Sequence, residues 1–203
     1  MNNKKAVIAL AALLVLILGG AALLYPRLSA GTGLSDVGGA ASDPQGDSSS
    51  QTQVIAAPSF PMATPEGEEL ELADLLGDKP VVLNFWASTC PPCKEEMPDF
   101  QTAYESYGDQ IYFVMVNVGD AMQGETREKA DAYLAQEGYT FPVYFDQEYQ
   151  GITAYGVRGF PHTYFIDQEG NLQLYAPGMI SAAGLQEGLH AIAPDLVPAP
   201  EES

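Results

Sequence analysis

Two cysteines separated by two residues are the clearest candidates for chemistry in this sequence. Cys90 and Cys93 enclose Pro91 and Pro92, directly after the apolar run of residues 80–86. That run predicts a buried strand, and the following residues predict a helix with proline in its first turn. A sulfur at a helix start faces free N–H groups and the positive end of the helix dipole, which stabilise the nucleophilic thiolate. One helical turn brings the sulfurs together, so the pattern predicts thiol–disulfide exchange in which Cys93 resolves a mixed disulfide formed by Cys90.

Three other uses of the cysteine pair are less favoured. A purely structural disulfide across two residues closes a very small loop, and stabilisation by a disulfide grows with loop size. A zinc site would need His162 and His190, which lie far apart and lack ligand spacing. Covalent haem attachment needs a histidine directly after the second cysteine, and Lys94 occupies that position. We therefore predict a redox-active disulfide and expect neither a metal nor another cofactor.

Strand and helix patterns alternate around the motif. The sequence predicts strands at residues 80–86, 111–118, 143–145, 162–167 and 171–176, and helices at about 91–107, 125–136, 147–155 and 181–192. Such alternation is typical of an α/β domain with a mixed sheet.

The charge balance excludes some function classes. The 203 residues include 8 Lys and Arg against 27 Asp and Glu, a net charge of −19. Binding to nucleic-acid phosphates requires clustered Lys and Arg, so nucleic acid is not an expected partner. A hydrophobic content of 46% indicates a globular protein. We interpret the acidic residues, all of which lie after residue 30, as a solvated surface.

The first 28 residues predict a membrane anchor. Residues 6–24 contain no charge and no proline, and as a helix they would span roughly 28 Å at ~1.5 Å per residue. Lys4 and Lys5 precede this segment and only Arg27 follows it, which predicts that the C-terminal bulk lies outside the cytoplasm. A cleaved signal peptide is the alternative, and we favour an uncleaved signal anchor in the cell membrane.

Composition also predicts the domain boundaries. Residues 29–56 are rich in Gly, Ser, Ala and Asp and contain no aromatic residue, which is typical of a flexible linker. Residues 57–193 form the predicted globular domain. The acidic, proline-rich residues 194–203 predict a disordered tail.

Several motifs together resemble one family. Residues 86–98 (WASTCPPCKEEMP) resemble the active-site signature of membrane-anchored, thioredoxin-like oxidoreductases of the TlpA/ResA type, and shorter matches lie at 57–60, 116–119 and 159–167. The resemblance covers residues 57–193. It implies a thioredoxin fold, a mixed sheet flanked by helices, with a helix–strand element inserted over residues 125–155.

The resemblance also implies site residues. Pro161 resembles the cis-proline beside the disulfide, and Phe160 would offer its main chain to a bound peptide. Glu96, three residues after Cys93, occupies the place of a functional acid, where desolvation would raise its pKa and allow proton exchange with Cys93. Trp86 is a further candidate for substrate binding, where it would shield the site; alternatively it packs in the core.

Two positions depart from the pattern. Many relatives carry an aromatic residue just before the first cysteine, where this chain has Thr89. Thioredoxin has a buried Asp two residues before the Trp, and here that position is Asn84, which cannot titrate. Glu96 is therefore the better candidate for an acid that serves the cysteines, while its neighbour Glu95 is expected to be solvated.

The resemblance implies a reductant outside the cytoplasm. A CcdA/DsbD-like membrane thiol carrier would supply electrons, and apocytochrome c or another envelope protein disulfide would receive them. One alternative is a peroxiredoxin-like peroxidase, although that family's pattern expects Thr or Ser three residues before the reactive cysteine, where this chain has Ala87. Another is an anchored binding module whose disulfide does not turn over.

Overall fold

The computed structural model describes residues 35–36 and 54–200. The predicted anchor over residues 1–28 lies outside this part of the chain, as do residues 29–34 and 37–53 of the predicted linker. Within the described ranges, no helix has both the length and the apolar composition needed to cross a membrane.

One mixed sheet organises the described residues. Its strands are β1 (Ser35–Asp36), β2 (Pro61–Ala63), β3 (Glu69–Glu71), β4 (Val81–Trp86), β5 (Tyr112–Asn117), β6 (Val143–Phe145), β7 (His162–Ile166) and β8 (Leu172–Pro177). They lie side by side in the order β1-β8-β7-β4-β5-β6-β2-β3. The central strand β4 runs parallel to β5 and antiparallel to β7. Every residue of β4 is buried, as expected for an apolar strand that is covered on both faces.

Four α-helices accompany the sheet in the described ranges. They are α1 (Pro91–Tyr107), α2 (Arg127–Glu137), α3 (Gln150–Ala154) and α4 (Ala182–Ile192). Helix α1 follows β4 and has the predicted bounds. Helix α2 begins two residues later than predicted, because the Thr126 side chain accepts a hydrogen bond from the Lys129 N–H and caps the helix there. Gly138 ends α2 in the left-handed conformation, with φ of 74°.

The chain between β5 and β7 contains the inserted element that the resemblance implies. Helix α2 leads into β6, which pairs in parallel with β5. Strand β6 also pairs with β2, so the insertion extends the sheet beyond the central strands. The architecture is a thioredoxin fold with one added helix–strand unit.

The end of the domain differs from the prediction of a disordered tail. Val197 is fully buried, and its carbonyl oxygen lies 2.7 Å from Nδ1 of His190 on α4. The Gln186 side chain donates to the carbonyl of Pro198 at 3.1 Å. Residues 194–198 therefore pack against α4, because the apolar side chain of Val197 is buried in the core.

Candidate active site

The turn between β4 and α1 positions the cysteine pair. The Cys90 N–H donates to the Ala87 carbonyl at 3.2 Å, which closes the turn. Cys90 is the N-cap of α1, and its sulfur accepts a hydrogen bond from the Cys93 N–H at 3.4 Å. Pro91 and Pro92, both exposed, fill the first two helical positions, where an N–H has no helical partner in any case. The sulfur of Cys90 thus lies at the positive end of the helix dipole, as predicted.

Cys90 and Cys93 form a disulfide, with 5.3 Å between their Cα atoms. Their exposed fractions are 1% and 0%. Exposure therefore does not distinguish the two residues in this oxidised form. Position alone distinguishes the residues here, because Cys90 caps the helix while Cys93 lies within its first turn.

Glu96 is a buried carboxyl group on α1, one turn beyond Cys93. Its side chain is 2% exposed. Oε1 accepts a hydrogen bond from the Asn84 side chain at 2.8 Å, and Oε2 accepts one from the Ile180 N–H at 2.9 Å. Burial raises the pKa of Glu96 to about 7, although both hydrogen bonds oppose that rise. The carboxyl group can therefore gain and lose a proton near neutral pH, which a residue that exchanges protons with Cys93 must do.

Asn84 connects this acid to the sheet. Its side-chain Nδ2 donates to Glu96 and also to Oγ1 of Thr163 on β7, at 3.0 Å. Asn84 and Thr163 are paired residues on neighbouring strands, and both are fully buried. Asn84, which cannot titrate, therefore orients the buried acid that does. Glu95, by contrast, is exposed.

The segment containing Pro161 is joined to the same region. The Phe160–Pro161 peptide bond is cis, as the resemblance implies. The Pro161 carbonyl accepts a hydrogen bond from the Gly178 N–H at 2.9 Å, and Ile180, two residues further on, donates to Glu96. The short loop after β8 therefore links Pro161 to Glu96. Phe160 is half-buried, and Pro161 is buried.

Trp86 and His162, also considered from the sequence, have packing roles. Trp86 is fully buried at the end of β4, with its ring 6.4 Å from that of Tyr133 on α2. The structure therefore favours core packing over direct contact with a substrate for Trp86. His162 is half-buried and stacks on Tyr164 at 4.9 Å between ring centroids. Burial lowers the pKa of His162, which favours its neutral form.

The second histidine and the acidic residues form no metal site in the described ranges. His190 contacts the carbonyl of Val197. No group of three or more His, Cys, Asp or Glu side chains that could hold a metal ion occurs among the described residues.

Sequence reasoning missed Glu125, which lies against the turn before Cys90. The sequence predicts Glu125 at the start of a helix over residues 125–136, whereas the structure buries it to 2% exposure in the loop before α2. Its carboxylate accepts hydrogen bonds from the side chains of Ser88, Thr89 and Asn117 and from the Thr89 N–H. Burial opposes its charge, but these hydrogen bonds outweigh burial and lower its pKa. No spacing rule in the sequence identifies this contact.

Comparisons with known proteins identify relatives of this chain. The model of the AhpC/TSA family matches residues 55–175. The thiol-disulfide oxidoreductase ResA of Geobacillus thermodenitrificans is 34% identical over 139 residues, which is 68% of this chain and 76% of that protein. A solved structure from Chlorobium tepidum, described as a thiol:disulfide interchange protein DsbE, superposes with a TM-score of 0.59 and 32% identity, covering 68% of this chain and 96% of that one. StoA from Bacillus subtilis superposes with a TM-score of 0.56 and 27% identity, covering 66% and 98%.

The chain belongs to the AhpC/TSA family, with a thioredoxin fold whose helix α1 begins at a Cys-Pro-Pro-Cys disulfide. Within that family it is a ResA-like thiol–disulfide oxidoreductase.

Proposed function

We propose that the protein is a membrane-tethered reductant that acts outside the cytoplasm on disulfides of envelope or secreted proteins. The observation that carries the exchange chemistry is the position of Cys90, whose sulfur caps α1. The ResA relatives support the class of reaction, thiol–disulfide exchange, and the TlpA/ResA resemblance supports the direction of electron flow. Apocytochrome c is the substrate that this resemblance favours, and a CcdA/DsbD-like membrane protein is the expected source of electrons.

In the proposed reaction the reduced protein gives two electrons to its substrate. The Cys90 thiolate attacks one sulfur of the substrate disulfide, the substrate S–S bond breaks, and the other substrate sulfur leaves as a thiolate. Cys93 then attacks the Cys90 sulfur of the mixed disulfide and releases the second substrate thiolate. The products are a reduced substrate and the Cys90–Cys93 disulfide.

In this proposal Glu96 accepts the proton that Cys93 loses. Cys93 must lose its proton before it can attack, because the thiolate is the nucleophile. With a pKa of about 7, Glu96 accepts that proton at neutral pH and returns it when the membrane carrier reduces the disulfide again. Pro161 and Phe160 are the proposed residues for contact with the substrate chain, on the loop that Gly178 connects to the Glu96 region.

The reduction potential tests the direction of electron flow. We expect the potential, measured by equilibration with glutathione, to lie near or below the value of about −270 mV typical of thioredoxin, and the protein to catalyse insulin reduction. A reduction potential near −120 mV, as in strong oxidants such as DsbA, would show that the protein oxidises thiols in its substrates rather than reducing their disulfides. Failure to turn over at all would favour the binding-module alternative.

The contacts of Thr89 argue against the peroxidase alternative. Thr89 is the hydroxyl residue adjacent to Cys90 in sequence, and its Oγ1 donates to Glu125 at 3.0 Å. That hydroxyl is thus already used in holding the turn. Peroxide consumption by the reduced protein is the matching measurement, and we expect no catalytic turnover of hydrogen peroxide.

The tether is a proposal about residues outside the described part of the chain. An uncharged segment over residues 6–24 and the two lysines before it support an uncleaved anchor with the domain outside. Protease treatment of intact cells or protoplasts should release a fragment that starts within residues 29–57. Recovery of an anchor-free secreted protein as the main form would overturn the tether and leave the exchange chemistry unaffected.

A further inference from the structure

We infer that Glu125 is a positioning residue for thiol–disulfide exchange: its carboxylate holds the Ser88–Thr89 turn and, through that turn, the sulfur of Cys90 at the start of α1. The inference deepens the proposed function, because it rests on Cys90 as the attacking residue. Glu125 itself contacts neither cysteine in the hydrogen-bond network, and it acts through the two residues that precede Cys90.

The first observation is the convergence of donors on one oxygen. Oε2 of Glu125 accepts from Oγ of Ser88 at 2.8 Å, from the Thr89 N–H at 2.9 Å and from Oγ1 of Thr89 at 3.0 Å. These two residues lie between the end of β4 and the N-cap of α1. A short turn with its main chain and both side chains bound to a single buried group has little freedom to move, so the following residue is fixed as well.

The second observation is how the carboxylate itself is held. Oε1 accepts from Nδ2 of Asn117 at 2.9 Å, and Oδ1 of Asn117 accepts from the Gly119 N–H at 3.0 Å. Asn117 ends β5 and is paired with Trp86 at the end of β4. Glu125 therefore joins the ends of two parallel strands to the turn that carries the nucleophile.

The third observation is that this charge is stabilised by hydrogen bonds alone. Within the described residues the one ion pair joins Arg127 to Asp131, so Glu125 has no cationic partner there. A buried carboxylate without a counterion is costly unless its lone pairs are filled, and here four donors fill them. An apolar side chain at this position would fill the space without fixing any direction. The carboxylate instead fixes the turn through directional hydrogen bonds.

A set of four variants in the full-length reduced protein tests the inference. Glu125→Gln keeps the side-chain shape but removes the charge and places an amide donor against one of the existing donors. Thr89→Val removes one hydroxyl donor, and Thr89→Ser restores it. Glu128→Gln is the matched control, since Glu128 is an exposed acid three residues away at the start of α2.

The readout is the second-order rate constant for reaction with a small aromatic disulfide, measured as a function of pH to its plateau. The plateau compares fully ionised thiolates, so a change in the Cys90 pKa does not obscure a change in geometry. We expect the plateau rate to fall about tenfold in Glu125→Gln and about threefold in Thr89→Val, because small displacements of a reacting atom slow attack strongly. Thr89→Ser and Glu128→Gln should stay within about twofold of the parent.

Coupling between the two sites gives a second, independent criterion. If Thr89 and Glu125 act through one shared hydrogen bond, the double variant Glu125→Gln/Thr89→Val should react no more slowly than Glu125→Gln alone. A double variant whose plateau rate falls by the product of the two single-variant decreases would overturn the inference. So would a Glu125→Gln protein that melts at a lower temperature but keeps the parental plateau rate, because that result identifies a purely structural role.

Folding failure and failure of the proposed function remain distinguishable. If Glu125→Gln does not fold, the plateau rates of Thr89→Val and Thr89→Ser still test the inference. Equal plateau rates in these two variants would overturn it. Cys90→Ser is measured beside these variants. If Cys90→Ser retains the parental rate, the assignment of the nucleophile is wrong; if it is inactive while Glu125→Gln is unchanged, only the role of Glu125 is wrong.

Discussion

Replacing Glu96 with Gln should remove a pH dependence from the stability of the oxidised protein. Burial raises the pKa of Glu96 in the folded protein from 4.5 to about 7. The folded state therefore holds this proton more tightly than the unfolded state does. The stabilising effect of that proton is complete below about pH 4.5 and is lost as pH rises through about 7.

The size of the effect follows from the shift. At 1.36 kcal/mol per pKa unit, the rise corresponds to roughly 3 kcal/mol between the fully protonated and fully ionised limits. Glu96→Gln keeps the volume and cannot titrate. The unfolding free energy of the variant minus that of the parent should therefore increase by about 3 kcal/mol between pH 4.5 and pH 8.5.

Urea unfolding of oxidised protein at several pH values measures this difference. Other acids titrate in both proteins, so their contributions cancel in the subtraction. Glu95→Gln is the matched control, because Glu95 is the adjacent acid and is exposed. A stability difference for Glu96→Gln that is constant across this pH range would refute the reasoning, as would an equal pH dependence in Glu95→Gln.

Three further substitutions test the packing and the network around the site. Gly188→Ala should destabilise the protein by about 2 kcal/mol in urea unfolding, because a Cβ there would lie 2.1 Å from the ring of Phe165; unchanged stability would show that α4 can move away from the sheet. Val197→Ala should cost about 2 kcal/mol through lost burial, and a neutral result would show that this residue does not pack in solution. Asn84→Ala should raise the pKa of Glu96 further, because it removes a hydrogen bond that lowers that pKa; carboxyl titration by NMR measures this, and a fall in the pKa would contradict the network.

Features that depend on neighbouring residues were predictable from the sequence. The apolar run before Cys90 and the proline pair after it predict a buried strand followed by a helix, and β4 and α1 have those positions. The cis bond before Pro161 and the raised pKa of Glu96 agree with what the family resemblance implies. In these cases spacing along one element, or a local motif, carries the information.

Features that depend on distant residues were not predictable. Glu125 binds a turn 36 to 37 residues earlier in the chain, and only the folded loop before α2 brings them together. Thr163 meets Asn84 across 79 residues, through the pairing of β7 with β4. Val197 lies in an acidic segment whose composition predicts disorder, and the few apolar side chains in that segment do not alter the pattern.

The most direct test of the exchange mechanism is to trap its intermediate. Reduced Cys93→Ser protein, mixed with an excess of oxidised insulin, should form a covalent complex through Cys90 that mass spectrometry identifies, because attack still occurs and resolution does not. Cys90→Ser protein under the same conditions should form little or none. A complex that forms through Cys93 in the Cys90→Ser protein, with none in Cys93→Ser, would contradict the assignment of Cys90 as the attacking residue.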